Sequence, residues 1–274
     1  MRHLRPCRPD DETAGYIVTD PAATSLSGQR VLVAGGTAGI GLAIARHALA
    51  DGAHVVIAGR NPARGAAALE QLGAERASFV QGDAGDPTEC AALVAESAGR
   101  LGGIDALFCC SSGNPMPRLL KDVPLDEVMN EINRSLAPTI LPARAALPIM
   151  TGQGRGAIVC IASDAGKLAT PGEVAIGAAM AAIIMFCRAM AYEVKRQGIR
   201  VNCVTPSIVE GTELHDSLMN NPFAGRLFAK AKTLAHLGVV QADDIAAAAI
   251  FLAGPGAARI TGQTLSVTGG ISAI

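Results

Sequence analysis

Several features are scarce in this chain, and each scarcity narrows what it does. There is no basic run, and the net charge is only -1 over 274 residues, so no electrostatic footprint exists for nucleic acid or an anionic membrane. The expected partner is a small molecule. Metal-ligand spacing is missing too: the seven cysteines, at 7, 90, 109, 110, 160, 187 and 203, form no C-x-x-C and no His/Cys metal pair. Odd in number and set mostly in apolar stretches, they read as reduced, buried thiols of a cytoplasmic protein, with no metal bound. No uncharged apolar run reaches the about eighteen residues of a membrane span; the longest, Val174 to Cys187, stops at Arg188. Residues 1–27 lack the apolar segment of a secretory signal, and Asp10, Asp11 and Glu12 oppose an organelle presequence, so a mobile tail is expected there.

What is present is apolar: half of the residues are hydrophobic and 17% charged, enough for one large α/β core over residues 28–274. The organising stretch is Val31-Leu32-Val33-Ala34-Gly35-Gly36-Thr37-Ala38-Gly39-Ile40-Gly41. Its apolar run reads as a buried strand, its glycines as a tight turn, and Leu42 to Ala50 as a helix. Such a helix start attracts a diphosphate through unpaired amides and the positive end of the helix dipole. The spacing Gly35-x-x-x-Gly39-x-Gly41 is not the commoner G-x-G-x-x-G, but a second strand, His54 to Gly59, follows and ends at Arg60. That is where a dinucleotide fold places its ribose-reading residue, about twenty residues on. Strands and helices then alternate to the end of the chain, which predicts a single-domain, Rossmann-type doubly wound parallel sheet with helices on both faces. A long connection, about 207–240, precedes the last helix.

The order of motifs resembles the short-chain dehydrogenase/reductase family over residues 28–272. The resemblance rests on Gly35-x-x-x-Gly39-Ile40-Gly41, Gly198-Ile199-Arg200-Val201-Asn202 with Pro206, Asp243-Asp244-Ile245-Ala246, and Ile260-Thr261-Gly262-Gln263 with Gly269-Gly270. It implies that Gly35, Thr37, Ala38, Gly39, Ile40 and Gly41 hold the diphosphate and nicotinamide side of a dinucleotide. Asp83 and Ala84 then meet adenine, Cys110 and Ser111 line the cofactor after the fourth strand, and Val209 and Thr212 meet the carboxamide. Arg60, with no acidic residue at that strand end, implies a 2′-phosphate and so NADP(H), because a guanidinium binds phosphate bidentately. The alternative is a solvated surface arginine.

The catalytic region departs from the family. Ser163 matches the active serine after the fifth strand, but the family's Tyr-x-x-x-Lys aligns without a gap on Ile176 and Met180. The family's asparagine falls on Ser135, with Asn133 nearby. Isoleucine and methionine move no protons, and general acid catalysis is worth roughly 10²–10⁴ in rate, so carbonyl reduction is slowed without hydride transfer being forbidden. Ser163, Asp164 and Ser135 are the catalytic candidates; Lys167, Glu173 and Arg134 are neighbouring charges with ordinary structural alternatives. His215 and Tyr192 read as structural. The resemblance implies that the connection 207–240 lids the substrate; Leu168, Ile176, Met180 and Leu214, with Leu218, Met219, Phe223, Leu227 and Phe228 of that lid, are expected to form an apolar pocket.

The function expected is an atypical NADPH-dependent reductase of a hydrophobic C=N or C=O compound, for example in secondary metabolism. The alternatives are a non-redox cyclase or isomerase on the same scaffold and a non-catalytic NADP(H)-binding protein. A homo-oligomer, dimer or tetramer, is expected, although Pro138 and Pro142 fall in the helix that commonly pairs subunits in the family. Those prolines predict a kinked or late-starting helix and weigh against the usual tetramer.

Overall fold

The computed structural model describes residues 26–274. The expected tail lies outside the described residues except for its last two positions, and one of those, Leu26, is fully buried. Its amide donates to Asp51 Oδ2 at 3.3 Å, so the packed chain includes it, ahead of the expected start at 28.

Seven parallel strands form one sheet in the order β3-β2-β1-β4-β5-β6-β7. They are β1 Arg30–Ala34, β2 His54–Gly59, β3 Ala77–Gln81, β4 Ala106–Cys109, β5 Gly156–Ile161, β6 Ile199–Pro206 and β7 Thr264–Val267. The strand order reverses between β1 and β4, and that switch point opens a crevice at the carboxyl ends. Helices α1 Gly39–Ala50, α2 Pro62–Leu72, α3 Pro87–Leu101, α4 Val128–Gln153, α5 Val174–Val194, α6 Glu213–Asn220, α7 Pro222–Lys232 and α8 Ala242–Ala253 cover it. Alternation along each strand divides the core in two. Leu32, Val56, Leu107 and Ile158 join the α3–α4–α5 side, while Val31, Val33, Ile57, Phe108 and Val159 join α1 and α8 on the other.

Local chemistry explains where most helices begin. Asn61 Oδ1 accepts the Arg64 amide at 3.1 Å, and Asp86 Oδ1 accepts the Thr88 and Glu89 amides at 2.9 and 2.8 Å; a proline follows each cap, where its missing N–H costs nothing. Asn221 and Pro222 start α7 in the same way. Helix α1 differs. It begins at Gly39, inside the expected turn and three residues before Leu42, and its N-cap, Ala38, offers no side-chain acceptor.

Of the kinked or late-starting helix expected at the prolines, the late start is excluded: α4 begins at Val128 and continues through Pro138, Pro142 and Pro148, supported by buried Ala143, Ala146 and Met150. The long connection 207–240 carries α6 and α7. Finally, α5 with its extension to Gln197 is long and apolar enough, by length and composition, to cross a membrane, although no uncharged run in it reaches that length. It is the crossover between β5 and β6, and Ala179, Ile183, Cys187 and Ala191 along it are buried in the core.

Candidate functional site

The crevice at the switch point widens into a cavity of about 1550 Å³ that runs from the end of β2 to the α6–α7 lid. At one end sits the glycine turn. Gly35 has φ +83°, and a Cβ there would lie 2.6 Å from the Ser111 amide nitrogen; a Cβ on Gly41 would lie 2.0 Å from the Gly35 carbonyl oxygen. Only glycine lets β1, the loop after β4 and the first turn of α1 approach this closely. Gly35, Thr37, Ala38, Gly39, Ile40 and Gly41 all line the cavity. With no capping side chain at Ala38 and no acidic residue in the first turn, the amides of α1 are left to a ligand.

Arg60, Asp83 and Ala84 line the outer part of this arm, as do Cys110 and Ser111 across from it. Arg60 is exposed, and its Nη1 lies 3.7 Å from Asp83 Oδ2. The other Asp83 oxygen accepts the Gly85 amide at 2.8 Å, which fixes the loop after β3. Arg64, one helical turn after Arg60, was not singled out by sequence. It lines the same wall and pairs with Glu213 of the lid at 2.7 Å. Their separation of 149 positions left no local signal.

The far end holds Ser163, Asp164, Ser135, Ile176, Met180 and Leu168 together. The Ser163 hydroxyl accepts the Ala165 amide at 3.2 Å and starts a short turn. Asp164 is buried, accepts a hydrogen bond from the Ser272 hydroxyl and lies 3.5 Å from Lys167 Nζ. Lys167 is itself bound to the Ser266 hydroxyl and, at 2.7 Å, to the Ile274 carbonyl. Ser135 is buried on α4, and Asn133 lines the cavity beside it with an exposed side. Arg134 also lines the cavity but is paired with Glu127 at 2.6 Å. Glu173, at the start of α5 and one turn before Ile176, is half-buried. Burial holds its carboxyl above the ordinary carboxylate range; the Thr170 hydroxyl pulls it down and the charge of Asp164 pushes it up.

Helices α6 and α7 close the apolar end with Leu214, Leu218, Leu227 and Phe228. Met219 and Phe223, expected in this wall, do not line it. Phe223 is turned to Gly172, where a Cβ would fall 2.4 Å from its ring. Val209 and Thr212 do line the cavity. The Thr212 hydroxyl is already engaged, donating to the Val209 carbonyl at 3.0 Å and accepting the His215 amide at 3.1 Å, which caps α6. His215 lines the cavity with its ring held between Asp216, at 3.1 Å, and Lys232 Nζ, at 2.8 Å. Lys232 also binds Glu210, and that hydrogen bond lowers the Glu210 carboxyl below its ordinary value. Tyr192 is exposed on the last turns of α5 and lines no part of the cavity.

Beneath the site Cys109, Cys160 and Cys203 are direct partners across β4, β5 and β6, and Cys187 of α5 packs on the row. Donating its S–H to the neighbouring thiol, followed by burial, raises each of Cys160, Cys187 and Cys203 well above the ordinary thiol value. Among the described residues no group of His, Cys, Asp or Glu is arranged to hold a metal.

Residues 34–272 match the family described as enoyl-(acyl carrier protein) reductase. Momilactone A synthase of Oryza sativa subsp. japonica is 31% identical over 264 residues, spanning 95% of this chain and 96% of that protein. Dehydrogenase/reductase SDR family member 4 of Oryctolagus cuniculus is 31% identical over 262 residues, or 94% and 97% of the two chains. Among solved structures, a 7α-hydroxysteroid dehydrogenase complexed with NADH and 7-oxo glycochenodeoxycholic acid superposes with a TM-score of 0.85 at 25% identity, covering 92% of this chain and 97% of that one.

Proposed function

The chain belongs to the short-chain dehydrogenase/reductase family, and we propose that it is an NADPH-dependent reductase of a hydrophobic C=N or C=O compound. The observation that carries this reading is one continuous cavity joining the uncapped start of α1 to an apolar chamber. The glycine cradle fits a diphosphate: the first amides of α1 are unpaired by any side-chain cap, and Gly35 and Gly41 let the surrounding backbone close to within distances that a side chain would forbid. Bound there, a reduced nicotinamide dinucleotide supplies a hydride.

The chain's own residues do the rest. Gly39 to Gly41 present amides to the diphosphate, and Asp83 and Ala84 flank the adenine. Arg60 and Arg64 receive the 2′-phosphate, two guanidinium forks being suited to its oxygens. Val209, beside Thr212, stands where the carboxamide is read. Ser163 holds the substrate oxygen or nitrogen, and Ser135 lies on the α4 wall. Ile176, Met180, Leu168 and Leu214 exclude water and accept apolar carbon. Asp164 is kept as a positioning residue, since Ser272 and Lys167 already engage its carboxylate. Alignment of bound partners contributes about 7–11 kcal/mol, more than the loss of one proton donor removes.

Titrating the protein with NADPH, NADP⁺ and NADH tests this reading; the expected order favours the phosphorylated pair, and no detectable dinucleotide binding overturns it. NADPH oxidation against hydrophobic imines and ketones then identifies the acceptor. The apolar side chains at 176 and 180 favour a second reading, a non-redox cyclase or isomerase, which predicts product formation unchanged without cofactor. Self-association is also proposed. Val174, Met185 and Tyr192 are exposed along one stripe of α5, a surface suited to a second copy of the chain, and solution mass by light scattering decides it.

A further inference from the structure

Most charged side chains that line the cavity are already answered by the protein. Asp164 has Ser272 and Lys167, Arg134 has Glu127, Glu213 has Arg64, and His215 is held between Asp216 and Lys232. Arg60 and Asp83 face each other at the outer arm, and Lys230 is exposed on α7. Glu173 is different. It lines the chamber beside Ile176, and among the described residues no cation forms an ion pair with it. Arg118, whose backbone runs alongside at Gly172, spends its guanidinium on Glu131. The charged group that Glu173 does feel is another carboxylate, Asp164, and the Thr170 hydroxyl is its polar neighbour.

A half-buried carboxylate facing an apolar chamber is costly unless a cation meets it. We propose that Glu173 is an anionic subsite for a basic nitrogen, so that the cavity takes hydrophobic substrates carrying an amine or iminium cation. The inference rests on the reductase reading and narrows its substrate class. Its neighbours agree with it. Ile176 and Met180, one and two turns further along α5, place no charge that would repel a cation, and they supply no proton. An iminium carbon needs none: the carbon gains the hydride, the C=N π pair becomes the nitrogen lone pair, and the reduced nicotinamide dinucleotide is oxidised. The product amine takes a proton from water and stays a cation for Glu173.

The test is calorimetric binding of N-benzylpiperidine, a cation at neutral pH, against uncharged N-benzoylpiperidine of similar shape. The wild type is expected to prefer the cation, and Glu173→Gln to weaken it by about tenfold to a hundredfold while leaving the amide little changed. Glu173→Asp, which keeps the charge, should restore part of the preference. Cation binding should strengthen as pH rises through the Glu173 titration and fade with it on acidification. Equal affinity for the two probes, no detectable binding of the amine, or an equal loss of both in Glu173→Gln overturns the subsite. The dinucleotide titration is run on the same samples. Retained NADPH binding with no amine preference sinks this inference alone, whereas lost NADPH binding in the wild type sinks the reductase reading beneath it.

Discussion

Ser272 donates a hydrogen bond to Oδ2 of Asp164 and so joins two positions 108 residues apart. The link fastens the segment after β7 against the turn that follows β5, and Lys167 reinforces it by reaching both Asp164 and the Ile274 carbonyl. Asp164 Oδ1 has no hydrogen-bond partner of its own, so the nearby ammonium is what compensates its burial. Lys167→Met should therefore strand a buried charge, costing about 3 kcal/mol and lowering Tm by roughly 6–10 °C. Thermal unfolding followed by circular dichroism measures this, and an unchanged Tm would show that the ion pair is dispensable.

The raised Glu173 carboxyl has a consequence for stability with a definite sign. Above the ordinary carboxylate value, 4.5 for glutamate, the unfolded chain releases its proton first while the folded one still holds it. Stability therefore falls as pH climbs from there through the folded-state titration, and the loss is complete above it. Glu173→Gln should flatten that part of the profile and be the more stable protein at neutral pH. Urea midpoints taken across the window check the direction.

Arg60 is expected to discriminate between the two dinucleotides. Arg60→Ala should weaken NADPH by about tenfold to a hundredfold, the range of a lost charge-assisted contact, and leave NADH nearly unchanged. Fluorescence titration of each cofactor measures the ratio. Equal weakening of both would assign Arg60 to general surface charge.

Gly41→Ala is the sharpest test of the cradle. The added methyl would meet the Gly35 carbonyl oxygen at 2.0 Å, and backbone, unlike a flexible side chain, has little room to yield. The variant should lose dinucleotide binding by more than about a hundredfold and unfold at lower temperature. Gly73→Ala provides the contrast, because nothing lies within 4 Å of its added carbon; only its φ of +73° is strained.

The row of buried thiols predicts chemical silence. Burial pushes the Cys90 thiol up to about 11, with the charges of Asp83 and Asp86 adding to it, and Cys109, Cys160, Cys187 and Cys203 are enclosed in the core. In a Cys7→Ser, Cys110→Ser background, which removes the thiol that lines the cavity, native protein should react with a thiol reagent at neutral pH far more slowly than urea-unfolded protein does. Rapid native labelling of Cys160 or Cys203 would mean that the sheet opens beneath the site.

Strand and helix order was legible because β1, β2 and β3 are closed by Gly35, Gly59 and Gly82, and α2 and α3 begin with the cap-proline pairs Asn61-Pro62 and Asp86-Pro87. A parallel sheet followed from the alternation of strands and helices; the order of its strands did not. Boundaries were less accessible: Gly39 and Gly41 look like turn residues, yet they form the first turn of α1, since the close approach to Gly35 asks for no side chain. The prolines of α4 left a late start open because the packing that carries the helix through them, on Ala143, Ala146 and Met150, is tertiary and has no local signal. In the lid, Thr212 and Asn221-Pro222 were readable start signals for α6 and α7. Without those helices Met219 and Phe223 could not be assigned a face. Apart from Met219 and Phe223, the residues expected to contact cofactor or substrate line one cavity, but their engagement was hidden. Asp164, Arg64 and His215 take partners from distant segments, and no spacing rule carries that information.

The ion pair between Arg64 and Glu213 joins the wall that faces the nucleotide to the flap above the substrate. A guanidinium has five donors, so whatever anion settles beside Arg64 competes for or reinforces its grip on α6. An anion that turns Arg64 away from Glu213 therefore unfastens the start of α6, whereas one that Arg64 holds alongside the carboxylate leaves it tied.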